Sequence, residues 1–468
     1  MNMIINKKTE ERNSTSEART DLRRFARLRI CTAKRTYAGL CTPSARAGVL
    51  LGTQTLFNVG FYAVVPFIAI VLTSDFGLGA AAVGLVLGVR TFSQQGLFVV
   101  GGALADRCGP RAIILIGCAV RAAGFLTLSA ALWPARPAIW AFVLGTALTG
   151  FGGALFSPGL SVLLGAAQRA RDEAGRRRVS LFAWLAVTGE LGAVVGPLLG
   201  ALLLGWGFAT VAAAGAGFFV AVGLALARLL PRADRGSSLS NDGSASSASG
   251  ARGRPTGERH SLVWHAFRDR RFMAFATLHA ADLLSYNQLY LALPLAIAAA
   301  GGGPATIAAM FAWASVLTFV LQLPLARWTA ARGPARSLRL GYLLHAGAYM
   351  VLAAWAATPA SRSASATLIA VAVTCIVVGH LVANPTGLGL VQGFADGRRT
   401  GVFFGLLATC GGVAVLVGNL AAGALFEAAG GPAALRAAVV VPWLFLAVLP
   451  LAAAIRVPRI LRASGVDR

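Results

Sequence analysis

Largely apolar stretches alternate with short polar connections along almost the whole of this chain. They run roughly over 48–73, 80–104, 112–132, 138–165, 179–204, 208–230, 272–299, 304–327, 338–357, 364–390, 401–424 and 433–456. A helix needs about 20 such residues to cross hydrocarbon, where every backbone amide must be bonded within the protein because water is absent. The pattern predicts an all-α integral membrane protein with twelve transmembrane helices.

The connections alternate in charge. Odd-numbered ones are short and almost uncharged: SDFGLG at 74–79, WPARP at 133–137, GWG at 205–207, GGG at 301–303, TPASRS at 358–363 and EAAGG at 427–431. Even-numbered ones are basic: ADRCGPR at 105–111, QRARDEAGRRR at 168–178, the stretch after Leu230, ARWTAARGPARSLR at 326–339 and ADGRR at 395–399. Of the 42 Lys and Arg, 37 fall on the even-loop and terminal side, Arg90 and Arg121 lie inside helices, and Arg136, Arg362 and Arg436 lie on the other side. Cytoplasmic loops retain Lys and Arg, which predicts a multi-pass protein of the inner (plasma) membrane with both termini in the cytoplasm.

Five segments follow. Residues 1–47 form a basic cytoplasmic extension expected to be disordered, although Leu22, Phe25, Leu28 and Ile30 among arginines would also suit a short surface-lying amphipathic helix. Residues 48–230 and 269–456 are two six-helix halves, 231–268 a Ser/Gly-rich cytoplasmic linker, and 457–468 a cytoplasmic tail.

Composition narrows the function. The chain is 57% hydrophobic and 13% charged, whereas soluble domains carry about a quarter charged residues, so a water-soluble enzyme is excluded. The net charge of +25 would suit nucleic acid, but sorting the basic residues by loop turns it into a statement about orientation. The six cysteines (Cys31, Cys41, Cys108, Cys118, Cys375, Cys410) show neither CxxC spacing nor metal-site spacing to a His. No GxxxxGK[ST] occurs, so neither nucleotide nor metal nor other cofactor is expected. The expected partners are a small-molecule substrate, protons and the lipid bilayer, with the chain acting as a monomer.

The halves resemble each other. GRRRVSLFAWLAVTGELGAVVGPL from Gly175 aligns with GRRTGVFFGLLATCGGVAVLVGNL from Gly397, so that Arg176 meets Arg398, Phe182 meets Phe404, Gly189 meets Gly411 and Gly196 meets Gly418. Gly109-Pro110 meets Gly333-Pro334, Gly117 meets Gly341, Arg121 meets His345, and Ser157-Pro158 is the counterpart of Asn384-Pro385. Such repeats imply a cavity between halves that rock about it.

Two motifs carry mechanism. In the loop after the second helix, GGALADRCGPR presents Gly102, Asp106, Arg107, Gly109 and Arg111. Its glycines would permit close helix contact, and Asp106 would pair with a helix N-terminus or an Arg in one conformation only, latching a gate. The alternative is a charged loop that only sets topology. On helix five, Gly192, Gly196 and Gly200 recur every four residues beside Pro197, a face open to close helix approach.

The first motif resembles the signature of the major facilitator superfamily. The second, GPxxGG with Ala201 in place of the last Gly, resembles its drug:proton antiporters. VGLVLGVRTFSQQGLFVVGGALADR from Val83 and VRAAGF from Val120 narrow the likeness to multidrug exporters of that superfamily, covering most of the chain outside the termini and linker. The resemblance implies the twelve-helix, two-half fold and proton-driven export of hydrophobic drug-like molecules, with no enzymatic activity. The chain departs from the family at helix four, where Ser157-Pro158-Gly159-Leu160 replaces an acid followed by two prolines and Thr146 and Thr149 stand in place of Arg and Gln. It departs again at Glu190, displaced by one residue from the family's helix-five acid.

A charge in hydrocarbon costs about 2.5–3.5 kcal/mol on insertion scales, so each one calls for a partner, a cavity or a function. Glu190 and Asp282 are the acids well inside the spans, both near the midplane. A desolvated carboxyl there suits proton coupling; the alternative is a structural ion pair with Arg90 or Arg121, which would otherwise meet an anionic substrate group. Asn58, Tyr62, Gln94, Gln95, Tyr286, Asn287 and Gln288 are cavity-lining candidates, and His279, His345 and His380 are either proton relays or helix–helix contacts. Two competing readings remain: an uptake symporter on the same fold, distinguished by a more polar cavity, and a non-transporting receptor or enzyme, which would need reactive residues on the outer loops.

Overall fold

A computed structural model describes residues 43–133, 138–173, 181–230, 267–358, 361–395, 400–430 and 436–464. The expected basic extension as far as residue 42, most of the linker, the repeat pairs Gly175/Gly397 and Arg176/Arg398, Cys31, Cys41 and the end of the tail lie outside the described residues.

The described residues contain no strand. The N-terminal half comprises α1 (Pro43–Tyr62) and α2 (Ile68–Ser74) joined by a 3₁₀ turn, α3 (Ala80–Gln95) and α4 (Phe98–Cys108), α5 (Pro110–Ala131), α6 (Ile139–Glu173), α7 (Leu181–Leu203) and α8 (Phe208–Leu229). The C-terminal half comprises α9 (Arg270–Asn287) and α10 (Ala292–Ala299), α11 (Pro304–Arg332), α12 (Pro334–Ala357), α13 (Arg362–Ala395), α14 (Thr400–Ala429) and α15 (Val441–Ser464).

Among the described residues, eleven spans are long and apolar enough to cross a membrane on that criterion alone. The twelfth is the seventh in order, α9 plus α10. It fails the test because α9 carries Arg270, Arg271, His279, Asp282, Ser285 and Asn287. The expectation of continuous first, second and seventh spans is corrected: the first breaks after Tyr62 and resumes at Ile68, the second breaks after Gln95 and resumes at Phe98, and the seventh breaks after Asn287 and resumes at Ala292. In the first break, Pro66 has no N–H to continue the ladder.

The basic connections are also shorter than the charge pattern suggested. α6 continues through Glu173 and α11 through Arg332, so much of those two connections is helix, while α13 reaches only Ala395, the first residue of the third. Single residues, Gly109 (φ 83°) and Gly333 (φ 79°), turn the chain between α4 and α5 and between α11 and α12. A side chain would be strained at that positive φ, and the proline that follows each glycine starts the next helix with its φ preset.

The repeat reappears in the packing. A Cβ on Gly117 of α5 would lie 2.9 Å from the Gly152 carbonyl of α6, and one on Gly341 of α12 would lie 2.9 Å from the Gly379 carbonyl of α13. Arg121 lies against Gly152 just as His345 lies against Gly379. Phenylalanines fill the N-terminal half: Phe57 stacks on Phe156 at 3.6 Å and meets Phe219 edge-on at 5.2 Å. Leu126, Leu202, Val220 and Val417 are exposed on the outside, as a lipid-facing surface requires.

The halves meet along α3 and α14. The Gly84 and Gly88 positions abut the backbone of Asn419 and Leu416, and Gly423 abuts Ala80 and Ala81. At the odd-loop end, the Glu427 carboxylate accepts a hydrogen bond from Ala81 N at 3.2 Å, in the first turn of α3, where the helix dipole favours an anion. Deeper in the seam, the Thr91 hydroxyl donates to Asn287 Oδ1 at 3.1 Å. A second contact between halves joins α7 to α11.

Candidate functional site

The polarity that makes α9 a poor membrane helix builds the site. Asp282, 1% exposed, is gripped by two histidines from other helices. His345 Nε2 of α12 lies 3.0 Å from Oδ1, and His380 Nδ1 of α13 lies 3.1 and 3.0 Å from Oδ1 and Oδ2. When Asp282 is ionised it only accepts, and each of these ring nitrogens is then the donor. One turn earlier on α9, His279 Nδ1 lies 2.7 Å from the Tyr342 hydroxyl.

His380 links this group to the other half. Its ring stacks on Tyr286 at 4.2 Å, and Glu190 of α7 is within electrostatic reach of both. Tyr62 of α1 feels Glu190 and Arg90 and pairs with Tyr290. Glu190, Tyr62, Tyr286 and His380 are half-buried although each lies well inside its span. The two acids read from the sequence thus belong to one electrostatically linked group, Glu190, His380, Asp282 and His345.

The pairing expected between acids and Arg90 or Arg121 does not form among the described residues, because Asp282 is taken by histidines. The arginines are held by aromatic faces instead. Arg90 lies 4.5 Å from the Phe61 ring centre and 5.7 Å from that of Tyr290. Arg121 lies 4.0 Å from Phe57, 4.8 Å from Phe61 and 5.6 Å from Phe219. Arg90 Nη2 donates to Gln94 Oε1 at 2.8 Å and Arg121 Nε to the Thr149 carbonyl at 3.0 Å.

The remaining polar candidates divide. Asn58 donates to the Gly189 carbonyl at 2.9 Å and so stitches α1 to α7, Asn287 is engaged by Thr91, and Gln95 packs near Gly412 of α14. Gly192, Gly196 and Gly200 all face the first span: a Cβ on Gly192 would lie 2.6 Å from Asn58 Cβ, one on Gly196 2.6 Å from Tyr62 Cβ, and one on Gly200 2.7 Å from Phe67 Cε2. Pro197 sits inside α7 between them. In the other motif, Gly102 faces open space and the close approach belongs to its neighbour Gly101, which abuts the Ala154 carbonyl, a correction to the role expected of Gly102. Arg111 donates to the Ala227 carbonyl near the C-terminus of α8, and Gly109 forms the turn. The side chains of Asp106 and Arg107 lie outside the described residues.

Sequence reasoning did not single out Tyr342, nor Asn419, whose Oδ1 accepts from Nε2 of the buried cavity candidate Gln288 at 2.8 Å. The signal for the cluster was present: three of the five histidines lie in spans seven, nine and ten, and Asp282 is the acid among them.

The comparisons with known proteins bear on this architecture. The family model for the Major Facilitator Superfamily matches residues 50–419. The chain belongs to that superfamily. It is 34% identical over 404 residues to the MFS-type transporter Rv0849 of Mycobacterium tuberculosis, covering 85% of this chain and 89% of that one. It is 30% identical over 378 residues to the multidrug resistance protein MdtH of Escherichia coli, covering 81% of this chain and 86% of the relative. Among solved structures, a POT family transporter in complex with a thioalcohol-conjugated peptide superposes with a TM-score of 0.68 at 13% identity, covering 90% of this chain and 96% of that one. The nucleoside transporter NupG superposes with a TM-score of 0.66, also at 13% identity, covering 89% and 99%. At such identity the structures speak to the fold alone. The protein is a multi-pass membrane transporter of small molecules, and its superfamily and relatives place it among carriers and not among enzymes.

Proposed function

We propose that this protein exports hydrophobic, drug-like molecules from the cytoplasm in exchange for inward-moving protons, as an inner-membrane monomer with both termini cytoplasmic. The observation that carries the reading is the titratable chain spanning the halves: Glu190 from one, His380 and Asp282 from the other. A proton exchanged between Glu190 and His380 changes the attraction between the halves, which is what alternating access needs from a coupling ion. The surroundings are aromatic, with Tyr62, Tyr286, Tyr290 and Phe61 about the same space, suited to apolar ring-bearing substrates. Kinship with the multidrug resistance protein MdtH supports export.

Glu190 and Asp282 are the proton-binding groups in this scheme. Asp106 latches the cytoplasmic end, and the Gly192–Gly196–Gly200 face with Pro197 lets α7 move against the first span. The test is proton movement in proteoliposomes driven by a substrate identified in an efflux panel: antiparallel flux supports export by antiport, and parallel flux makes the protein a symporter.

A further inference from the structure

The N-terminal half holds two buried cations that no acid answers. Arg90 and Arg121 are 4% and 2% exposed, each is among the electrostatic neighbours of Tyr62, and Arg121 also feels Arg90. Neither forms an ion pair among the described residues. Aromatic faces offset only part of the cost of removing each ion from water.

The two arginines differ in how far they are satisfied. Arg121 is packed among Phe57, Phe61 and Phe219 with its Nε on the Thr149 carbonyl, inside the half. Arg90 is different. Its Nε has no hydrogen-bond partner, and its guanidinium touches Tyr290 of the opposite half, beside Tyr62 and so beside the space that Glu190 faces. Gln94 takes one of its amino groups at 2.8 Å, and the enclosed Nε–H stays unpaired on the same fixed plane.

We infer that Arg90 is an anion-binding group of the substrate site, taking the carboxylate of an aromatic or otherwise apolar ligand when the Tyr62–Tyr290 contact between the halves parts, with Arg121 behind it adding positive potential. The planar guanidinium matches a carboxylate through two parallel N–H bonds, and the flanking rings accept the apolar body of the ligand. This names a substrate class and rests on the transport site proposed above. It does not depend on the direction of transport or on proton coupling.

The test is equilibrium binding to the purified full-length protein, with no gradient imposed. Ligand-induced thermal stabilisation is compared for 2-naphthoate and its uncharged analogue 2-naphthamide. The wild type should respond to the carboxylate at concentrations about tenfold or more below those needed for the amide, the worth of one charge-assisted pair. Arg90→Gln should lose this preference while keeping its response to the amide, and Arg90→Lys, which keeps the charge but not the fork, should retain part of it. Equal responses to the two probes in the wild type, no response to 2-naphthoate, or an undiminished preference in a monodisperse Arg90→Gln protein would overturn the inference. Because binding is read without turnover, a failure of antiport leaves this result standing, and the reverse also holds.

Discussion

Adding one methyl group at Gly84 should hold the two halves apart at their odd-loop end. A Cβ there would collide with the Asn419 carbonyl oxygen and stand 2.8 Å from its carbon, whereas ordinary contact begins near 3.4 Å. The obstacle is backbone on α14, so no side-chain rotation relieves it, and α3 and α14 must separate locally by about 1 Å. Overpacking of that kind costs about 1–3 kcal/mol. Only the closed arrangement of this end bears the cost, so Gly84→Ala should shift the balance towards separation by roughly 5- to 150-fold. Gly102→Ala is the control on the same span, since nothing lies within 4 Å of the added atom. Nitroxide labels on Asp75→Cys and Ala428→Cys, exposed residues at this end of opposite halves, report the separation by pulsed electron resonance in a background without native cysteines. A longer distance population in Gly84→Ala, absent from Gly102→Ala, is expected. Identical distributions in all three proteins would refute the claim that the glycine seam sets the closure.

Two further perturbations follow from the same contacts. Glu427→Gln weakens the anion at the first turn of α3, and with the same labels it should favour separation by a smaller amount, about 0.3–1 kcal/mol. Gly379→Ala places a methyl 2.8 Å from the Gly341 carbonyl and 3.0 Å from the His345 ring, so it should lower thermal stability by about 1–3 kcal/mol and displace His345 from Asp282, seen as loss of the histidine's downfield N–H resonance.

Much of this was legible in the sequence because hydrocarbon imposes one simple rule on a chain. The helices of spans three, five, six and eight to eleven start and stop within about five residues of the apolar runs, and that of span four starts with its run. The charge asymmetry marked the basic ends even though α6 and α11 turned out to carry helix through much of them. The repeat was readable through Gly117, Gly341, Arg121 and His345, because close crossings leave glycine little alternative. What hydropathy could not show was where a helix breaks: Tyr62 and Asn287 end their segments through local turns and a proline, which do not change average polarity. It could not show partners either. Glu190 and Asp282 were identifiable as costly groups, but that Asp282 turns to His345 and His380, leaving Arg90 and Arg121 to aromatic rings, depends on which faces of α9, α12 and α13 meet. Gly101 and Gly102 make the same point, since adjacent residues of one type differ wholly in what they face.

The central claim is that protons and substrate move in opposite directions through one site joined by Glu190, His380 and Asp282. Proteoliposomes loaded with pyranine report lumenal pH while an outward substrate gradient is applied, with no other driving force. Protons should move against the direction of substrate flow, and this movement should be lost when Glu190→Gln and Asp282→Asn are combined in a protein that still binds substrate. Proton movement in the same direction as the substrate, or unchanged exchange in the double variant, would contradict it.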